Sequence, residues 1–220
     1  MAKIISFASQ KGGVGKSTLL LMTASAVHNR TNKRVLVIDC DPQKSVKDIY
    51  AQENSDKSFD VIFFNWKQPK PEINFDKTIA LAESRYDVIF LDIPGRLDGK
   101  EIYFSILVSD SVIVPIVASA LDLNSTIKFL QTLPKITAVK KQKGFELDIY
   151  GLINKKDNTV EQQALKQLSG IGGLQLFYSP ISNLVRYRRN ISTWQDITDK
   201  TDSRDEFNKY FEEFQLKCLN

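Results

Sequence analysis

Short runs of consecutive apolar residues recur along the chain: KIISFAS (3–9), RVLVIDC (34–40), FDVIFF (59–64), YDVIFLD (86–92), SVIVPI (111–116), ELDIYGLIN (146–154) and LQLFYSPI (174–181). Several are apolar at successive rather than alternate positions, as in strands buried on both faces. Between them, helical patterns span 17–30, 44–52, about 72–84, 99–108, 122–139 and 159–169. This alternation predicts an α/β fold in one domain, 1–220, with a mostly parallel central sheet flanked by helices on both faces. No linker, repeat or low-complexity segment interrupts it. The last stretch, 204–220, places Phe207, Tyr210, Phe211 and Phe214 at helical spacing and predicts a terminal helix docked on the core. Its polar face carries Asp205, Glu206, Glu212 and Glu213, which an anionic bilayer would repel.

Composition changes this picture little. An apolar content of 42% with 25% charged residues is ordinary for a globular chain of 220 residues. The net charge of +4 permits an anionic partner without demanding one. No run reaches the ~18 apolar residues of a membrane span. The N-terminus reads as a strand and a glycine-rich loop rather than as a secretion signal. Two cysteines, Cys40 and Cys218, make neither a disulfide framework nor a C-x-x-C pair. A cytoplasmic location is the expectation.

The chemistry concentrates in SQKGGVGKST (9–18). The ordinary phosphate loop reads G-x-x-x-x-G-K-[ST]. Gly15, Lys16 and Ser17 satisfy its end, Gln10 stands where its first glycine belongs, and an extra lysine, Lys11, has been added. Gly12, Gly13 and Gly15 let backbone N–H groups approach phosphate oxygens at a helix N-terminus. Lys16 would neutralise the β- and γ-phosphates, Ser17 would ligand Mg²⁺, and Thr18 would support the α-phosphate side. The second strand ends IDCDPQ (38–43), with Asp39 and Asp41 one residue apart. If strand geometry persists to Asp41, both carboxylates share a face at the C-terminal edge of the sheet, suited to Mg²⁺-bound water and an attacking water. A helix-capping aspartate with a salt bridge is the structural alternative. Asp92, closing FLDIPG (90–95), is placed to hold Mg²⁺ through water, and Pro94-Gly95 begins a loop able to respond to a γ-phosphate.

Together KGGVGKST (11–18), IDCDPQ and FLDIPG resemble the deviant Walker A motif, second acidic motif and Walker B motif of the ParA/MinD family of ATPases, within the P-loop NTPases. PIVASALDLNSTIKFL (115–130) resembles a segment of short plasmid-partition ParA proteins, and GLINKKD (151–157) the strand leading to nucleotide-base contacts, which makes Asn154 a candidate for the nucleotide site along with Gly12, Gly13, Val14, Gly15, Lys16, Ser17 and Thr18. The resemblance implies that Lys11 reaches across an ATP-bound homodimer to the phosphates of the other subunit. It implies catalytic roles for Lys11, Lys16 and Asp41, with Asp41 orienting water, and a metal site drawing on Ser17, Asp39 and Asp92. The implied cofactors are ATP and Mg²⁺. Ile93-Pro94-Gly95 stands where many members have Thr-Pro-Pro, with no expected consequence for the chemistry.

Arg186, Arg188 and Arg189 cluster around Tyr187, in a place where short ParA proteins carry basic residues, and form a candidate contact for nonspecific double-stranded DNA. A solvated basic face is the alternative. The leading expectation is a weak ATPase, stimulated by a ParB-like centromere-binding or other partner, that positions plasmid or mobile-element DNA on the nucleoid without a membrane. A MinD-like membrane-associated regulator and a metabolic enzyme, such as a dethiobiotin-synthetase-like ligase, are the alternatives. The first lacks a basic amphipathic tail. The second does not explain Lys11 together with IDCDPQ.

Overall fold

A computed structural model describes residues 1–52, 59–95, 99–117, 120–156, 168, 170–182 and 204–220. Its centre is a parallel sheet in the order β3-β2-β4-β1-β5-β6-β7, built from β1 (Lys3–Phe7), β2 (Val35–Asp39), β3 (Asp60–Phe63), β4 (Val88–Asp92), β5 (Ser111–Ile116), β6 (Asp148–Lys156) and β7 (Gln175–Leu176). A further short strand, β8 (Ile181–Ser182), also pairs with β6. Parallel neighbours need crossover connections. Helices α1 (Lys16–Thr31), α2 (Ser45–Gln52), α3 (Pro71–Glu83), α4 (Lys100–Val108), α5 (Ala120–Leu130) and α6 (Leu133–Gln142) fall between strands, and α7 (Arg204–Phe214) follows the last of them.

Strands β2, β4 and β5 are buried at every position, as their unbroken apolar runs require. Alternate residues then feed two cores. Ile5 and Phe7 point into one with Leu20 of α1 and with Phe207, Tyr210, Phe211 and Phe214 of α7. Ile4 and Ala8 point into the other, with Phe75 of α3, Ile106 of α4, Phe129 of α5 and Leu133 of α6. The terminal helix therefore docks its aromatic face as its spacing predicts. Its ring contacts include Phe90–Phe214 at 6.2 Å between centroids.

Three boundaries differ from expectation. The helix read over 122–139 is two, α5 and α6, because Pro134 at the start of α6 has no N–H to continue the ladder. The strand read over 174–181 is two short pairings, β7 and β8, separated by a turn and Pro180. The strand bearing the acidic pair stops at Asp39, so Asp41 lies beyond it. The helix expected over 159–169 falls outside the described residues, except for the buried Leu168.

Register decides where the chemistry gathers. Phe7 and Asp39 are both paired with Asp92, so the C-terminal ends of β1, β2 and β4 lie side by side. The loops leaving these three strands meet at one edge of the sheet.

Candidate functional site

The loop from β1 to α1 turns on Gly13 and Gly15, with φ of 78° and 90°, the left-handed region open to glycine. Gly15 is also tightly enclosed: a Cβ there would stand 2.4 Å from Asn154 Nδ2. That nitrogen donates a 2.6 Å hydrogen bond to the Val14 carbonyl, so the buried Asn154 ties the end of β6 to the loop. At Gly12 and Gly13, by contrast, an added Cβ would meet nothing within 4 Å. The loop is held from behind and open in front.

Lys16, the first residue of α1, is 8% exposed and donates a 2.6 Å hydrogen bond to Asp92 Oδ1. Ser17 Oγ donates to Asp92 Oδ2 at 2.8 Å. One fully buried carboxylate thus holds both the phosphate-loop ammonium and the phosphate-loop hydroxyl. Five residues earlier on the same loop, Lys11 is exposed. The two lysines of the opening motif therefore occupy opposite situations.

Asp39 and Asp41 also part company. Asp39 is fully buried and its carboxylate accepts three backbone N–H groups, from Asp41 at 3.0 Å, Val46 at 3.1 Å and Lys47 at 3.0 Å. It pins the loop after β2 and caps the first turn of α2. Burial pushes its pKa up to about 6, against the pull of the Lys47 and Asp41 N–H groups, with the neighbouring Asp92 and Asp41 charges adding to the rise. Asp41 is partly exposed, and its Oδ1 accepts the Gln43 N–H at 3.0 Å. The shared face conditional on a longer strand does not form, and Asp39 takes the helix-capping arrangement that stood as the alternative.

The loop after β4 reaches the same place. Gly95 packs on the phosphate loop, where a Cβ would lie 3.4 Å from Gly12 N and from the Lys11 carbonyl carbon. Gly95 thus marks a van der Waals contact between the two loops, a consequence its departure from Thr-Pro-Pro did not announce. Ser9 Oγ donates to the Lys11 carbonyl at 3.0 Å and braces the loop from within. Neither contact was legible as a motif, since both depend on how two loops pack.

A nucleotide with a hard divalent cation fits this donor set. The open ground over Gly12 and Gly13, the α1 N-terminus behind it and a buried lysine suit phosphates. A hydroxyl and a carboxylate on one locus suit Mg²⁺, which takes few protein oxygens and keeps water and phosphate for the rest. No group of three or more His, Cys, Asp or Glu able to hold a metal occurs among the described residues. Thr18 follows on α1. Arg186, Arg188 and Arg189 lie outside the described residues.

Comparison with known proteins agrees with this geometry. The CobQ/CobB/MinD/ParA nucleotide binding domain model matches residues 5–195. The chromosome-partitioning ATPase Soj of Thermus thermophilus is 25% identical over 206 residues, covering 83% of this chain and 82% of Soj. Maintenance of carboxysome distribution protein A of Halothiobacillus neapolitanus is 25% identical over 139 residues, 62% of this chain and 59% of that protein. In fold, the chain superposes on an AMPPNP-bound Borrelia burgdorferi B31 protein assigned to plasmid partition, with a TM-score of 0.75, 22% identity and coverage of 99% of this chain and 100% of that one. The chain belongs to the CobQ/CobB/MinD/ParA nucleotide-binding family, as a ParA/MinD-type P-loop ATPase resembling plasmid-partition ParA.

Proposed function

We propose that this chain is a Mg²⁺-dependent ATPase of one domain that closes into a homodimer on ATP, rides nonspecifically on nucleoid DNA, and is released when a ParB-like partner stimulates slow hydrolysis. Plasmid or mobile-element DNA is the cargo of this reading. The observation that carries it is the contrast between the two loop lysines, Lys16 buried on Asp92 and Lys11 exposed. A cation inside its own site serves the nucleotide bound there. A cation exposed on the same loop supports a role toward a second copy.

When bound, Mg²⁺-ATP supplies the transferable phosphoryl group and the divalent charge that neutralises it. Lys16 stabilises the phosphate charge, a role for which its ammonium must exchange the Asp92 carboxylate for phosphate oxygens. Ser17 and Asp92 would hold the metal, with Asp39 fixing the loop beside them. The Asp41 carboxylate orients or activates the attacking water. Lys11 supplies positive charge in trans, as an arginine finger does.

Support for the soluble branch of the reading comes from α7. Its aromatic residues are buried in the core, so they are committed before any bilayer is met. No helix among the described residues is long and apolar enough to cross a membrane.

The test is equilibrium binding of labelled ATP with Mg²⁺ to wild type and Lys16→Ala. Wild type is expected to bind and Lys16→Ala to lose binding, or nearly all of it. A variant binding as tightly as wild type would remove the nucleotide from this loop.

A further inference from the structure

We propose that the exposed face of α5 and α6 is the surface on which the phosphate backbone of duplex DNA docks. The inference rests on the DNA-binding reading above and assigns it a surface. Between Asp122 and Glu146 the chain has five lysines, Lys128, Lys135, Lys140, Lys141 and Lys143, and no acidic residue. The whole chain has 30 basic and 26 acidic residues, so outside this stretch the acids outnumber the bases by one. The molecule's positive charge therefore resides here.

Structure separates the five by role. Lys140 is buried, its Nζ bonded to the Ser109 carbonyl and its pKa lowered by burial. It anchors α6 to the end of α4. The other four are exposed. Exposed positions Asn124, Lys128, Gln131, Lys135, Ala138 and Lys141 keep helical step through the break at Pro134, where Thr132 retains right-handed helical dihedrals. Lys128 and Lys135, seven residues apart, thus share one side of the helical path, while Lys141, six residues further on, stands about 120° round α6 and widens the basic face.

Among the described residues, no ion pair compensates this charge. None of the four exposed lysines pairs with a carboxylate among the described residues. Helix α6 packs against α4, where Glu101 is buried and Lys100 is paired with Glu72, and against the uncharged turn Ile171–Gly173. The acidic helix α7 belongs to the core on the opposite side of the sheet. A polyanion approaching α5–α6 meets cations first and the acids of α7 not at all.

Duplex DNA fits this face better than a bilayer does. Phosphate contacts need only cations and hydrogen-bond donors in a row, which lysines interleaved with Asn124 and Gln131 provide. A helix lying on a membrane needs an apolar face to insert. Here Phe129, Leu130, Leu133 and Ile136 are spent in the core, and Phe145 alone among the large apolar side chains of 123–146 is exposed.

The test is a salt titration of binding to two unrelated duplexes, with ATP and Mg²⁺, for four proteins. These are wild type, the Lys128→Ala/Lys135→Ala/Lys141→Ala triple variant, the same positions changed to Arg, and Arg186→Ala/Arg188→Ala/Arg189→Ala. Labelled-ATP binding checks that each is folded. The alanine triple is expected to bind both duplexes more weakly and to flatten the slope of log K against log salt by about 0.9 for each phosphate no longer neutralised. The arginine triple is expected to keep the wild-type slope. An unchanged slope in the alanine triple, with wild type binding DNA, would overturn this surface while leaving the DNA reading in place. Absence of wild-type binding at low salt, or capture by phosphatidylserine vesicles and not by duplexes, would overturn both.

Discussion

Asp41 and Asp39 stand two residues apart and do different work. Asp39 spends its carboxylate on three backbone N–H groups and is fully buried, whereas Asp41 accepts one N–H, from Gln43, and is partly exposed. Asp41→Ala should therefore leave phosphate-loop binding intact and stop hydrolysis, trapping the ATP-bound form. Phosphate release measured beside labelled-ATP retention checks this, and normal turnover by the variant would exclude the role. Spacing and strand-end position point to the phosphate loop and Asp92 in the sequence, and only family resemblance points to Asn154; the structure brings all of them to one edge of the sheet. The capping role of Asp39 was visible only as an alternative. Its partners Val46 and Lys47 lie seven and eight residues on, and only the path of the intervening loop brings their N–H groups back. The contact of Gly95 with the phosphate loop was illegible for the same reason.

At the scale of elements, the parallel sheet flanked by helices follows from apolar runs joined by crossover helices, while the strand order was not legible, and the boundary exceptions have local causes. Pro134 splits one expected helix, and the turn before Pro180 splits one expected strand. One element supports the site from a distance. Glu213 accepts the Tyr178 and Ser179 N–H groups at 2.9 and 3.0 Å, and Glu206 accepts the Ser182 N–H and hydroxyl at 2.7 and 2.6 Å. Helix α7 thereby holds the segment whose Ile181 pairs with Asn154. No motif announces these clamps, since carboxylates on a terminal helix read first as a solvated face. Phe214 is fully buried on that helix, while Leu216 just beyond it is 72% exposed. Phe214→Ala should cost about 3–5 kcal/mol of stability and Leu216→Ala about 0.5 kcal/mol or less, read from urea midpoints. Equal effects would mean that α7 is not docked as described.

A second element-scale prediction concerns the opposite edge of the sheet. Arg34 grips Asp87 with two side-chain bonds, 3.1 Å from Nε and 2.9 Å from the terminal nitrogen, and its backbone N–H adds a third at 2.8 Å. These bonds tie the starts of β2 and β4, and they lower the Asp87 pKa to about 2. A folded-state pKa below the unfolded value gives stability that is present above the ordinary carboxylate range and lost as pH falls toward 2. Both side chains are substantially exposed, so the contribution at neutral pH is about 0.5–1 kcal/mol. Asp87→Asn should be less stable than wild type by that amount at pH 7, with the difference reduced by about half at pH 3. A difference independent of pH would show that the carboxylate charge contributes nothing.

For the whole molecule, the central claim is that one loop carries two cations with separate duties, Lys16 for its own nucleotide and Lys11 for a second copy. The site edge of the sheet leaves Lys11, Gly12 and Gly13 exposed together, so the phosphate loop itself forms the surface that a second copy would cover. The most direct measurement is the mass by light scattering of wild type and Lys11→Ala, with and without Mg²⁺-ATP, alongside labelled-ATP binding. Wild type should pass from the 25.0 kDa chain to twice that mass on ATP. Lys11→Ala should bind ATP with little loss, remain at the mass of one chain and fail to hydrolyse. A Lys11→Ala protein that dimerises on ATP and turns it over like wild type would contradict the account.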